Sequence, residues 1–490
     1  MQPLDWLIAA AYIITVVALG TFIGRGQTGA SDYFLGRHQL PWWAVLVSVV
    51  ATETSALTVI SIPGIGARGN LTFLQLAIGY VLGRAVVAWL LLPGYFRGEI
   101  QTAYEVLGTR WGPAARRTAS GIFLLTRAVA TAVRLFAGAI PLAVITGWSF
   151  PLAILVIGLA TVVYTYAGGI KAVVWVDVVQ WSVYVLAGIA ALIVALNMAP
   201  GGLDAAAAAG KLKAVDLGLS MSNPYAFFTA VFGGAMLSAA SHGTDHLIVQ
   251  RLLATRSLGH ARAALVGSGI AVFLEFALFL MVGVAIWAAV PALRTLPGDA
   301  VFPAFVIDHL PAGLSGLVVA GILAAAMGST SSALNSLASA TTHDYYAPIR
   351  GRVGDEDHLL KAGRLFTLAW AALLIGGALL FPGRDTPVVV VALSIASLTY
   401  GALLGAFILA RIDRIRERDV VIALISASLL MAIVVFAGPI GRAAGEPAWL
   451  MALARLAWPW YVPLGTLLTV VIGVTTAVTA SRGKSLRSPQ

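Results

Sequence analysis

Residues 325–336 read Ala-Ala-Met-Gly-Ser-Thr-Ser-Ser-Ala-Leu-Asn-Ser, with hydroxyls at Ser329, Thr330, Ser331, Ser332 and Ser336 inside an apolar stretch at 312–342. Hydroxyl and carbonyl oxygens are what a small hard cation needs when it sheds its water. Such a run in apolar sequence points to cation handling at membrane depth. A second polar interruption, Ala51-Thr52-Glu53-Thr54-Ser55 followed by Pro63-Gly64-Ile65-Gly66, lies within the apolar stretch 41–67. An ionised acid such as Glu53 at the centre of an apolar helix costs roughly 2.5–3.5 kcal/mol or more. It therefore lines a cavity, pairs with a cation or carries a proton. Ser55 and Thr58 follow on the adjacent turn and can donate hydrogen bonds to a solute, with Phe73 and Gln75 as further pocket candidates. Arg127 and Arg134 are seven residues apart and share a helix face. A guanidinium fork suits a carboxylate, whereas Arg84 reads as an internal ion-pair partner. Set against Glu53 and Asp177, the three arginines leave a positive excess that favours an anionic solute, although Glu275 can also face inward.

The elements that must position these residues are membrane helices. The chain has 490 residues, 59% hydrophobic and 11% charged, against about 25% charge in a soluble domain. A spanning helix needs roughly 20 apolar residues, and thirteen stretches qualify: 4–24, 41–67, 71–96, 118–146, 150–168, 173–198, 224–242, 261–290, 312–342, 363–382, 387–410, 419–438 and 458–480. The predicted fold is thus an all-α polytopic membrane protein forming one transmembrane domain over 1–490. Long apolar runs argue against a barrel of short alternating strands. If the N-terminus lies outside, 21 of the 31 Lys and Arg fall on inside segments and 7 on outside ones, with Arg84, Arg127 and Arg134 within helices. That asymmetry predicts an outside N-terminus and a cytoplasmic C-terminus in a multi-pass protein of the cell inner (plasma) membrane. The first stretch has no basic leader or cleavage pattern and reads as a retained helix.

Helix 41–67 is expected to be interrupted at its polar residues. Helix 224–242 carries Gly233-Gly234, Ser238 and Ser241-His242-Gly243 and is expected to be interrupted too, although Gly and Ser also serve close packing. These two lie five helices apart, the spacing of an inverted repeat in which each half opens with a broken helix.

Several segments together resemble the sodium/solute symporter family, which includes bacterial proline, pantothenate and sialic acid carriers and sodium–glucose carriers. They are Asp32-Tyr33-Phe34-Leu35-Gly36-Arg37 with Leu40-Pro41-Trp42; Ala51 through Gly64; Ala167-Gly168-Gly169-Ile170-Lys171 through Asp177-Val178-Val179-Gln180; Gly243-Thr244-Asp245 with Gln250-Arg251; the run ending Leu334-Asn335-Ser336; and Tyr400-Gly401-Ala402-Leu403-Leu404-Gly405. The resemblance implies a LeuT-type 5+5 inverted repeat: a leading helix at 4–24, repeats at 41–198 and 224–410, and two trailing helices within 419–480. It also implies a sodium site at Ala51, Thr54, Ala325, Gly328 and Ser329, the first three by backbone carbonyl. Gly328 departs from the family's usual serine, so one hydroxyl ligand is missing; water, Ser332, Thr54 Oγ1 or a carboxylate can replace it. A second sodium site used by some members maps to Asp177, Ser331 and Ser332, again with Gly328. In the family's sialic acid carriers an arginine on the helix of Arg127 and Arg134 binds the solute carboxylate. Arg127 aligns better and Arg134 is the alternative.

The expected function is sodium-coupled symport of a small organic solute, with a carboxylate as one candidate feature, by alternating access. The partners are the solute, sodium and the lipid bilayer, with no nucleic acid and no cofactor beyond Na+ as coupling ion. Proton coupling through Glu53 and Asp177 is the alternative transport reading, and a non-transporting solute sensor is the reading outside transport. An enzyme is disfavoured because no nucleophile–base pair appears and the spacing of His242, His246 and His343 fits no zinc pattern.

Overall fold

The computed structural model describes residues 1–98, 100–381 and 388–485, with side chains throughout except at 388–397 and 480–485. The expected helix limits at 382 and 387 and the tail beyond 485 lie outside the described residues. The principal helices are α1 (Pro3–Ile23), α2 (Trp42–Glu53), α3 (Ala56–Arg68), α4 (Leu74–Leu90), α5 (Pro113–Thr146), α6 (Phe150–Met198), α7 (Phe227–Gly243), α8 (His246–Leu253), α9 (Leu258–Ala289), α10 (Leu314–Ala340), α11 (Glu356–Leu380), α12 (Val388–Leu409), α13 (Glu417–Val435) and α14 (Tyr461–Ser485). Shorter helical turns join them. Among the described residues there is no strand, only one isolated bridge between Leu40 and Thr255. Among the described residues eight helices are long and apolar enough to cross a membrane, and the bent pair α2–α3, counted as one span, makes nine.

The helix ends follow the local chemistry. Proline opens α1 and α5 at positions where its missing N–H costs nothing, and Gly147 in the left-handed region (φ 74°) closes α5. α6 is 49 residues long, about 74 Å at 1.5 Å per residue, more than twice a ~30 Å hydrocarbon core. Its helical geometry breaks at Gly169 (φ 52°, ψ −151°), within the gap between the expected helices 150–168 and 173–198. Only glycine fits there, because a Cβ would stand 2.3 Å from the Tyr33 carbonyl oxygen.

At the centre stands α10, buried along nearly its whole length and packed against α1, α5 and α6. Its first turn is capped from elsewhere in the chain: Asp5 Oδ1 of α1 accepts the N–H groups of Gly313 (2.8 Å) and Gly316 (2.9 Å). A carboxylate at that end satisfies donors that an isolated helix leaves open.

The first interruption lies within the expected segment: α2 and α3 meet at 70° across Thr54 and Ser55. The second differs. α7 is continuous through Gly233-Gly234 and the chain turns only at Thr244-Asp245, before α8. These glycines serve packing: a Cβ on Gly233 would meet the Pro459 carbonyl oxygen at 2.7 Å, and one on Gly234 the Leu76 carbonyl oxygen at 2.6 Å.

Candidate ion and solute site

Where α2 ends, the backbone stops bonding to itself. Thr54 N–H still donates to Val50 O (2.9 Å), but Ser55 N–H turns to Thr58 Oγ1 (3.3 Å) and leaves the Ala51 carbonyl without its helical donor. That carbonyl reaches α10 beside Gly328: a Cβ built on Gly328 would lie 3.5 Å from Ala51 O, 3.4 Å from Asp177 Oδ1 and 2.8 Å from Gln180 Oε1. Three residues earlier, Ala325 O accepts from Ser329 Oγ (3.1 Å), so these two expected ligands are adjacent oxygens. Thr54 Oγ1 points elsewhere, donating to Glu275 Oε1 at 2.5 Å. Tyr184 OH donates to the other Glu275 oxygen at 3.3 Å. Glu275 is 3% exposed and has no Lys, Arg or His partner among the described residues.

The residues expected for a second sodium site come together around a guanidinium. Asp177 is fully buried; its Oδ2 accepts from Ser48 Oγ (2.5 Å) and lies 3.6 Å from Arg251 Nη2. Arg251 also bonds Ser332 Oγ and, through Nε, Ser48 Oγ (2.9 Å). Ser332 further pairs with Thr52 Oγ1 (2.9 Å), and Ser331 Oγ donates to Gly328 O (3.0 Å). Both ends of the Asp245–Arg251 segment thus engage other helices, Asp245 through Arg127 and Arg251 through Asp177, Ser48 and Ser332. The signal in the sequence was the Gln250-Arg251 pair, but nothing local names its partner.

Above this corner lies a cavity of about 230 Å³, lined among others by Glu53, Ser55, Thr58, Phe73, Arg127 and Arg134. Its apolar wall is aromatic: Phe73 sits edge-on to Phe276 (5.2 Å between ring centres) and beside Tyr225 (5.5 Å), with Tyr80 and Trp458 also lining it. Of these rings only Phe73 was anticipated. Gln75 lies elsewhere. It is buried outside the cavity lining, donating from Nε2 to Tyr225 O (2.6 Å) and accepting at Oε1 from Asp216 N–H (3.0 Å), so it ties down the loop before α7.

The cavity's charges sort themselves by pairing. Glu53 forms an ion pair with the fully buried Arg84, which also donates to Ser268 Oγ (2.7 Å), and lies 3.6 Å from His242 Nε2. Arg127 is bonded to Asp245 and to Tyr400 OH (2.7 Å), and Tyr400 OH in turn donates to Asp245 (2.9 Å). Arg134 has no ion pair and no hydrogen bond from its side chain among the described residues. It is the one lining arginine whose charge no carboxylate meets within bonding distance. His242, His246 and His343 do not assemble: no group of three His, Cys, Asp or Glu suited to a metal exists among the described residues.

A sequence model of the sodium:solute symporter family matches residues 33–413. The chain is 30% identical over 424 residues to the putative sodium-dependent multivitamin transporter of Drosophila melanogaster, covering 83% of this chain and 70% of that protein. It is 27% identical over 499 residues to the sodium/sialic acid symporter NanT of Aliivibrio fischeri, covering 97% and 93% respectively. Among solved structures, a substrate-bound, outward-open Na+-coupled sialic acid symporter superposes with a TM-score of 0.85 at 24% identity over 98% of both chains. A nucleobase-cation-symport-1 transporter shares the fold more distantly, with a TM-score of 0.58 at 14% identity. With more than half its length matched by one family model and relatives aligned along most of the rest, the chain belongs to the sodium:solute symporter family.

Proposed function

We propose that this sodium-coupled symporter carries a small carboxylate-bearing solute, held in the aromatic cavity with its carboxylate on Arg134. The observation that carries this reading is the pairing pattern: Glu53 and Arg127 each have an internal partner, while Arg134 faces the cavity without one. A guanidinium left unneutralised in a partly dry cavity favours an anion with two oxygens. Ser55 and Thr58 supply hydrogen bonds and Glu53 shapes the polar side, while Arg127 serves as a structural ion pair. Sialic acid, named for two of the relatives, carries a carboxylate and is one candidate within this class.

The coupling ion binds where the α2–α3 break meets α10, among Ala51, Thr54, Ala325, Gly328 and Ser329. Asp177, Ser331 and Ser332 line the adjoining corner, but Arg251 already supplies a positive charge there, and the reading is one sodium per cycle. The architecture we infer is thirteen crossings with a 5+5 inverted repeat over 41–198 and 224–410, preceded by 4–24 and followed by 419–480. The N-terminus lies outside and the C-terminus in the cytoplasm of a cell inner membrane. Alternating access follows from that symmetry. Ion and solute then raise each other's affinity by the same factor.

The test is a thermal-shift panel on purified protein, pairing small carboxylates with their neutral amides, in sodium and in choline at fixed ionic strength. Carboxylates should stabilise the protein only with sodium. Amides that match the acids would refute the anionic solute, and indifference to sodium would refute the coupling.

A further inference from the structure

The family's usual serine is missing at Gly328, yet the oxygen it would bring has an evident substitute. Two of the replacements expected from sequence are otherwise engaged: Ser332 Oγ is held by Arg251 and Thr52, and Thr54 Oγ1 by Glu275. Gln180, three residues after Asp177 on the same face of α6, is fully buried, and neither its Oε1 nor its Nε2 has a hydrogen-bond partner. The hydroxyls of Tyr12 and Tyr164 stand close enough to feel the Gln180 side chain but outside hydrogen-bond geometry with it; Tyr164 OH donates to the Met327 carbonyl (3.4 Å) and Tyr12 OH approaches the Met327 sulfur (4.0 Å). Asp177 Oδ1 is likewise buried and unpartnered, because Ser48 and Arg251 both engage Oδ2. An orphaned amide costs about 1–3 kcal/mol, and here the orphaned oxygens converge. Both Oε1 and Oδ1, together with the Ala51 carbonyl freed by the helix break, surround one point beside Gly328.

We propose that Gln180 Oε1 is a ligand of the transported sodium, taking the place of the absent hydroxyl, with Ala51 O and Asp177 Oδ1 as its fellow ligands. This assignment rests on the sodium-coupled reading above. The glycine is part of the arrangement. A Cβ at position 328 would approach Gln180 Oε1 to 2.8 Å, so a serine and the present glutamine position exclude each other. One neutral oxygen is exchanged for another, and the ion moves toward Asp177, merging the two expected sites into one.

Sodium-dependent thermal stabilisation of the purified protein, with choline holding ionic strength constant, tests this without knowledge of the solute. Gln180→Met keeps the shape and removes the oxygen. Its sodium midpoint should rise roughly tenfold or more, the size expected on removing one polar group that faces a charge. Gly328→Ser should weaken sodium similarly by displacing the amide. Gln180→Ala combined with Gly328→Ser should return the midpoint to within a few fold of wild type, since the hydroxyl then has room. A folded Gln180→Met protein with a wild-type midpoint overturns the assignment. If that variant does not fold, the double variant decides: recovery of the midpoint supports the exchange, and a folded double variant without a sodium response overturns it. A wild-type protein indifferent to sodium would instead refute the coupling itself.

Discussion

Replacing Arg134 separates a solute-binding arginine from a structural one. The cavity is lined by one carboxylate and two guanidinium groups, but Glu53 is held by Arg84 and Arg127 by Asp245, so the unmatched charge is that of Arg134. A hydrogen bond to a charged group is worth about 1.5–3 kcal/mol, which converts to roughly 10- to 150-fold in Kd. A two-pronged contact should fall at the upper end. Arg134→Leu should therefore weaken a bound carboxylate about 100-fold, while Arg134→Lys, which keeps charge but loses the fork, should fall between. Stability supplies the contrast. Arg134 has no partner to strand, so Arg134→Leu should melt no lower than wild type. Arg127→Leu leaves Asp245, 1% exposed, without its cation, at a cost of about 3–5 kcal/mol. The assay is calorimetric or thermal-shift titration of the strongest carboxylate ligand in saturating sodium, alongside ligand-free melting. Carboxylate affinity within threefold of wild type in Arg134→Leu would refute the reasoning. So would a well-folded Arg127→Leu that alone loses binding.

Three further outcomes follow from the packing. Glu53→Gln should lower the melting temperature, because Arg84 is fully buried and its removal from pairing costs about 3–5 kcal/mol; adding Arg84→Gln should restore part of the loss, and an unshifted melt in the single variant would count against the pair. Gly283→Ala should abolish monodisperse protein on size exclusion, since a Cβ there would stand 1.8 Å from the Pro63 carbonyl oxygen. Gly376→Ala, with nothing within 4 Å, should fold normally and serves as the control. Gln75→Leu should expose the 211–226 loop to limited proteolysis, as both of its backbone ties are lost, while the sodium midpoint stays unchanged.

Hydropathy made the all-helical membrane fold legible, because apolar length is a local property of sequence. The break at Thr54-Ser55 was legible for a similar reason: four polar residues in a row cannot all be hidden in oil. Gly233-Gly234 misled because a glycine pair looks the same whether it bends a helix or lets another backbone approach, and only the neighbours Pro459 and Leu76 decide. That Arg127 is paired while Arg134 is not was out of reach, since the partner is Asp245, 118 residues beyond Arg127. Gln180 went unassigned although it stood in a recognised segment; its clue was indirect, a missing hydroxyl at Gly328 on another helix.

The tether between Arg251 and Asp177 bears on how the carrier responds to voltage. A buried carboxylate that relied on the ion alone for neutralisation would become a bare negative charge each time the ion departed. Reorienting it would then oppose or follow the membrane field. Here the compensating charge is covalently part of the protein and stays through the cycle. With that pair kept closed, the empty protein would reorient without a bare charge at this point, and the electrical work of transport would fall on the leg that carries cargo.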